Sequence, residues 1–300
     1  MLLRSEAGVD DIRRRTFLIL GLAACLPAYG QQRFTQGLLW RITRDGVAPS
    51  HVYGTIHVGD PRVSVLPAEV RAAFDAAASL MLEFLPDPYT RERFLESAMY
   101  QDSRTLEREI GAADFERALE QLKPIGLQRE FVNKLKPWGV LLNLRNAAGP
   151  EGSPLDGQLL ELARARRLPL HQIENVEEQV FTFDEFPMDS QVALLRHSLA
   201  HREELLALAE STLQAYLARD LARIWRLRED FSRRHPAVAP HQAVMTKRVV
   251  LDRNVVMAFR MQRQLRRGAA FVALGALHLY GGKGVLALLE EDGYRAERIY

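Results

Sequence analysis

The sequence predicts an α/β fold, with an α+β-like mixed sheet, in which two β-α-β halves flank a large helical insertion. Three observations predict it. Two stretches near the ends of the chain share one order: strand, Gly-x-x-His turn, loop, helix, strand. Between them, from about residue 90 to residue 268, the apolar residues recur mostly at helical spacing. The apolar runs at either end have strand length and are rich in β-formers.

The first half begins with apolar/polar alternation over residues 36–44. A turn at Asp45-Gly46 follows, then a second strand over Ser50–Ile56, so the pair reads as a β-hairpin. That strand runs out at His57. Pro67 suits the first turn of a helix, and Val70, Phe74 and Ala77 mark its buried face. Ser79–Phe84 is a short apolar strand ended by Pro86 and Pro88. The helical region is punctuated at Gly111, Pro124, Pro137 and Gly149-Pro150. A helix over Leu155–Arg167 leads to a strand over Leu168–Glu174. Within residues 176–268, Leu205, Leu208, Ala209 and Leu213 mark the inward side of one helix. Val250, Met257, Met261 and Leu265 mark that of another. The second half is a strand over Phe271–Ala276, a helix over Val285–Asp292 and a strand over Arg295–Tyr300. The repeated order suggests an internal duplication. Parallel crossovers would bring both strand ends, and both histidines, to one edge of the sheet.

The N-terminus reads as a targeting segment. Arg13, Arg14 and Arg15 precede a short apolar run, Phe17 to Ala24, and small residues follow. Arg14-Arg15-Thr16-Phe17-Leu18 resembles a twin-arginine signal. Leu22-Ala23-Ala24-Cys25 resembles a lipobox, which would make Cys25 a lipid-bearing N-terminus attached to the membrane. Cleavage after Ala28-Tyr29-Gly30 is the other reading. The domain plan is therefore residues 1–30 as a signal peptide and 31–300 as the working domain. The expected location is the periplasm or a lipid anchor in the cell envelope. Cys25 is the only cysteine, so no intramolecular disulfide forms and the folded body has no cysteine nucleophile. A formal net charge of +2 on 300 residues gives no reason to expect nucleic acid as a partner.

Candidate chemistry gathers on the two turns, Gly54–His57 and Gly275–His278. Glycine lets a backbone turn or a ligand approach closely, which makes Gly54 and Gly275 candidates for contact with substrate. Imidazole ligates metals and shuttles protons near neutral pH. Glu83 ends a buried strand, where a carboxylate needs a partner. It either completes a two-His-one-carboxylate metal set with His57 and His278 or acts as a general base. Asn254 falls in line with the apolar stripe of its helix and Arg253 flanks it. They serve as a structural polar network or as anchors for substrate and transition-state charge. Glu174, ending another strand, is a weaker candidate for contact with substrate. The other six histidines lack the matched context and read as surface or structural. The segment Gly281-Gly282-Lys283-Gly284 reads as a flexible turn. No Gly-x-Ser-x-Gly elbow and no His-Glu-x-x-His helix occurs, so the common serine esterase and zinc-protease arrangements are missing.

Taken together, these residues resemble the TraB/PrgY/GumN family, related to the Tiki metalloproteases and more distantly to erythromycin esterases and a haem-binding lipoprotein group. The resemblance rests on LWRITRDGVAPSHVYGTIHVGD, on MLEF with Glu83, and on Leu155-Asp156. It continues through IENVEEQ with Glu174 and LDRNVVMA with Arg253 and Asn254, and ends on VALGALHLYGGKGVLALLEEDGY. It implies a hydrolase dependent on a divalent metal ion (zinc, manganese or iron), active on a peptide or a small molecule, with His57, Glu83 and His278 at its centre. Arg253 and Asn254 match the family's Arg-Asn pair. This chain departs from the pattern in its closing motif, Gly275-Ala276-Leu277-His278, where a second small residue before the histidine is common, and at Asn175, where threonine is common. Three rival expectations stand beside this one. They are a metal-free esterase with His57 as base, an envelope protein that binds haem through His57 or His278, and a pseudoenzyme working through protein contacts.

Overall fold

A mixed six-stranded sheet forms the centre of the structure, in the order β4-β3-β5-β2-β1-β6. The computed structural model describes residues 33–147 and 154–300. The expected signal segment, Cys25 and the break at Gly149-Pro150 lie outside the described residues. The strands are β1 Leu39–Arg44, β2 Val47–Thr55, β3 Ser79–Leu82, β4 Leu170–Gln172, β5 Ala270–Gly275 and β6 Arg295–Arg298. The sheet and its many helices make this an α/β fold, as predicted.

The expected hairpin is present. β1 and β2 pair antiparallel from Leu39↔Tyr53 to Arg44↔Val47. Gly46 turns the chain with φ at +77°, a conformation that glycine adopts without steric cost. β2 and β3 both run parallel to β5, and β4 runs parallel to β3. β3 and β5 are buried along nearly their whole length, which explains their unbroken apolar sequence. The sheet edges are protected differently. β4 has only three residues, and β6 carries Arg295, Glu297 and Arg298, all exposed.

The two halves interleave rather than stand apart. The first crosses from β2 to β3 through helix α1, Ala68–Asp75, and β5 of the second half lies between those two strands. Phe74 of α1 packs edge-on against Phe271 of β5 at 5.5 Å, which locks the halves together. The second half crosses from β5 to β6 through helix α14, Val285–Glu291, passing over β2 and β1.

Helices α2 to α13 lie between the halves. They are Pro88–Ser97, Leu106–Ile110, Ala112–Leu122, Arg129–Lys134, Pro137–Ala147, Leu155–Ala165, Val176–Asp184, Met188–Ala200, Arg202–Leu217, Leu221–Arg234, Ala239–Thr246 and Arg253–Leu265. They divide between two cores. Leu106, Phe115, Leu122, Val132, Trp138 and Leu195 form a core away from the sheet. The helices α7, α10, α11 and α13 instead bury Leu159, Leu213, Ile224 and Met257 against the sheet. Met257, Met261 and Leu265 of α13 are buried as predicted, and so is Val250 in the turn just before it. In α10 only Leu213 of the four expected positions is fully buried, and Ala209 is exposed. Here the last turn makes the inward contact: Tyr216 is buried, and its hydroxyl donates to the Gly54 carbonyl at 2.9 Å. Among the described residues, no helix is long and apolar enough to cross a membrane.

Candidate functional site

The parallel strands β2, β5, β3 and β4 end at one edge of the sheet. Thr55 pairs with Gly275, and Leu82 pairs with both Ala273 and Gln172. The ladder continues one step beyond β3 and β4, where the Glu174 N–H donates to the Glu83 carbonyl at 2.8 Å. This places two acidic side chains next to each other. His57 follows β2 by two residues, and His278 ends a 3₁₀ turn, Ala276–His278, directly after β5. Both histidines therefore arrive beside Glu83, as a ligand site at the C-terminal edge of a parallel sheet requires.

Glu83 is the hub. Its Oε1 accepts a hydrogen bond from the Gly275 N–H at 2.7 Å. The Nε2 atoms of His57 and His278 lie 3.8 Å and 3.9 Å from that same oxygen. A Cβ added to Gly275 would lie 3.3 Å from Glu83 Oε1, 3.4 Å from His278 Cδ2 and 3.7 Å from His57 Nε2. The glycine thus keeps open the space that all three residues face.

Both imidazoles are oriented from behind. Asn254 Nδ2 donates to the Lys283 carbonyl at 2.8 Å, which turns its Oδ1 toward His278 Nδ1 at 2.6 Å. Since Oδ1 can only accept, His278 carries its proton on Nδ1, and Nε2 presents a lone pair. His57 Nδ1 lies 2.8 Å from Asp156 Oδ2, and Thr55 Oγ1 donates to Asp156 Oδ1 at 2.9 Å. The carboxylate fixes the His57 ring in the same sense.

Arg253 holds the carboxylates. Its Nη2 donates to Glu83 Oε2 and to Glu174 Oε2, each at 2.5 Å, its Nε donates to Glu174, and its Nη1 donates to the Val249 carbonyl. A π-helical turn, Lys247–Asp252, directly precedes it, a distortion that recurs at functional sites. These bonds bear on the other expectations. Arg253 and Asn254 form a structural polar network, the first of the two readings open to them, through Glu83, Glu174, His278 and the Val249 and Lys283 carbonyls. Glu174 is 3% exposed and paired with Arg253. Gly54 is buried against Ala276 and Leu279, where a Cβ would lie 2.8 Å from the Leu279 side chain; it is a packing glycine. The segment Gly281–Gly284 is more than a flexible turn, since its Lys283 carbonyl anchors Asn254.

Sequence reasoning gave no role to Asp156, nor to Thr55 that donates to it. Asp156 stands in the first turn of α7. Its signal was faint: one acid between Leu155 and Leu159, both buried.

The electrostatics separate the two histidines. Burial pulls His278 down to about 4, and the pull of Glu83 in the other direction does not offset it. The His57 ring, 45% exposed, is only partly desolvated, and Asp156 and Glu83 outweigh that cost and push it up to about 10. Burial raises Glu83 too, yet His57, His278 and Arg253 together hold it well below the usual carboxylate range. The consequences for stability have opposite signs. Below pH 6.5 the unfolded chain binds a proton that native His278 refuses. Its contribution is therefore present in full above 6.5 and lost as pH falls toward about 4. The His57 contribution is full below 6.5 and lost as pH rises through about 10. Imidazole proton resonances followed from pH 3.5 to 10.5, and assigned to the two site rings by their loss in His57→Ala and His278→Ala, should show His278 titrating near 4 and His57 near 10. Both of these assigned rings titrating near 6.5 would contradict this geometry.

With strand-end imidazoles converging on a buried carboxylate over a glycine, and an Arg-Asn pair holding them, the match to known proteins is broad. A profile of the TraB/PrgY/gumN family covers residues 38–298, and the chain belongs to that family. It is 26% identical over 252 residues to the uncharacterized protein YbaP of Shigella flexneri, covering 80% of this chain and 87% of that protein. It is 25% identical over the same length and shares to the YbaP protein of Escherichia coli strain K12. No solved structure matches the chain.

Proposed function

We propose that the protein is an exported hydrolase that depends on a divalent metal ion and acts on peptide or amide bonds in the cell envelope. The export reading rests on the Arg13–Arg15 and Phe17–Ala24 pattern. The observation that carries the chemistry is the convergence of two Nε2 atoms, each held by a partner behind its ring and each just under 4 Å from Glu83 Oε1; that of His278 is a lone pair, and a bound ion would displace the proton that His57 otherwise keeps on its own.

The donor set fits an ion. Metal-bound histidines characteristically donate their other ring N–H to a carboxylate or carbonyl oxygen, as both rings do here. Tetrahedral coordination at about 2.0–2.1 Å needs donor atoms about 3.4 Å apart, so each gap to Glu83 needs to close by about half an ångström, and the two Nε2 atoms, more than 4.8 Å apart, must draw together by over about 1.4 Å, a movement open to the exposed His57 ring. Glu83 and Glu174 share the guanidinium of Arg253, and Asp156 backs His57, so the site's three carboxylates outnumber its two cationic groups, a surplus of negative charge that suits a dication. The holding atoms would be His57 Nε2, His278 Nε2 and Glu83 Oε1. When bound, the ion would supply Lewis acidity and lower the pKa of a water. Asp156 and Asn254 orient the rings. Arg253 keeps Glu83 ionised and pointed inward, so Glu83 holds the ion and does not take the proton. A metal-free mechanism finds less support, because none of these three groups titrates near neutrality, where an acid–base catalyst works best.

The test is cleavage of a peptide library by the purified full chain, with and without chelator, followed by readdition of zinc, manganese or iron. Activity should vanish with chelator, return with one metal, and be lost in Glu83→Gln. Cleavage that resists chelator and survives Glu83→Gln would refute the proposal.

A further inference from the structure

A second cluster of imidazoles lies in the helical region, outside the site at the sheet edge. Among the described residues, only His197, His201 and His235 form a group of three such donors with one ring nitrogen of each within 4.8 Å of the others. His197 and His201 stand four residues apart at the end of α9, so they share one face, and their rings stack with centroids 4.1 Å apart. His235 follows the last residue of α11 and meets those rings at 4.5 Å and 4.9 Å. Phe231 packs against His197 and His235 and walls one side with apolar surface.

The protonation pattern is set by neighbours. His201 Nδ1 donates to the His197 carbonyl at 3.0 Å, which leaves its Nε2 as a lone pair. His235 Nε2 lies 2.8 Å from Glu204 Oε2, so that nitrogen carries the proton and Nδ1 is the lone pair. Arg234 in turn pins Glu204. His197 Nε2 is buried and, among the described residues, is the one such side-chain atom without a hydrogen-bond partner. Such atoms are rare, and each calls for an explanation. The carboxylate behind His235 and the carbonyl behind His201 are the partners that orient ligating histidines.

We propose that His197, His201 and His235 form a second metal site, for a borderline divalent transition ion of the zinc, cobalt or nickel class. Imidazole donors select this class. A bound ion would satisfy His197 Nε2 and tie the end of α9 to the end of α11 across the α10–α11 hairpin. Modest ring rotation brings donors within 4.8 Å to the spacing of about 3.4 Å that tetrahedral coordination needs.

Cobalt(II) titration of the full chain, read by visible absorption and calorimetry, tests this independently of the site at the sheet edge. If both sites bind, the wild-type chain takes up two ions and His278→Ala takes up one. His201→Gln and His235→Gln should each weaken the remaining site by about 100-fold or more, with helical circular dichroism unchanged. Should either variant fail to fold, cobalt-shifted imidazole signals in the His278→Ala chain serve instead, and three rings should be shifted. One ion in the wild-type chain, lost in His201→Gln and kept in His278→Ala, would uphold this inference and defeat the metal-dependent reading of the other site. An His278→Ala chain that binds no cobalt, or whose cobalt is indifferent to His201→Gln, overturns it.

Discussion

Arg253→Met is expected to destabilise the fold by about 3–5 kcal/mol, the cost of removing one partner from a buried ion pair. The side chains of Arg253, Glu83 and Glu174 are 13%, 9% and 4% exposed, so water cannot replace the lost guanidinium. Methionine fills much of the same volume, which isolates charge from packing. The variant leaves two neighbouring buried carboxylates without the guanidinium that joins them, with only His57 still beside Glu83. Urea unfolding at neutral pH measures the loss. The triple variant Arg253→Met, Glu83→Gln, Glu174→Gln should regain part of it, because the unpaired charges are then gone. A loss below about 1 kcal/mol in the single variant would show that the network contributes little.

Asn254→Ala carries the second large effect. On the proposed metal-dependent reading, it lowers metal affinity at the sheet-edge site by about 10–100-fold without touching the ion itself. The reason is geometric. Asn254 is the link between the Lys283 carbonyl and His278 Nδ1, and without it the ring can rotate or carry its proton on Nε2. His278→Ala, which removes the donor, should cost more. Zinc affinity of both variants, measured in the His201→Gln background to silence the other cluster, separates orientation from ligation. Equal affinities for wild-type and Asn254→Ala chains would mean that the asparagine only caps the Lys283 carbonyl.

The sheet was legible in the sequence because its strands alternate or run apolar and end at marked turns. The pairing of β5 between β2 and β3 was not, since register and order are tertiary facts that no local pattern encodes. At the site, His57, His278 and Glu83 were readable as polar residues placed just past buried strands. Their partners were harder to read. Asn254 announced itself only as a polar break in an apolar stripe. Arg253 and Glu174 suggested substrate contact from composition alone, and the structure turns them toward each other. The histidine cluster was missed for a related reason. His197 and His201 show helical spacing, but His235 joins them only when α11 folds back beside α9. Asn175, where the family resemblance led to an expectation of threonine, carries no structural penalty. Its side chain accepts from the Glu178 N–H, and Glu178 returns the bond in a capping box that either residue can make.

The interleaving of the two halves constrains the order of assembly. β5 is the central strand through which β3 reaches β2, and it follows all of the helical region in the chain. A nascent polypeptide emerging from the ribosome therefore holds β2 and β3 with no common neighbour until residues 270–275 appear. Until then the Glu83 carboxylate lacks the Gly275 amide, and two apolar strands wait with open hydrogen-bonding edges. Such non-local closure delays native structure until β5 has been made and leaves two strand edges exposed to wrong partners while they wait.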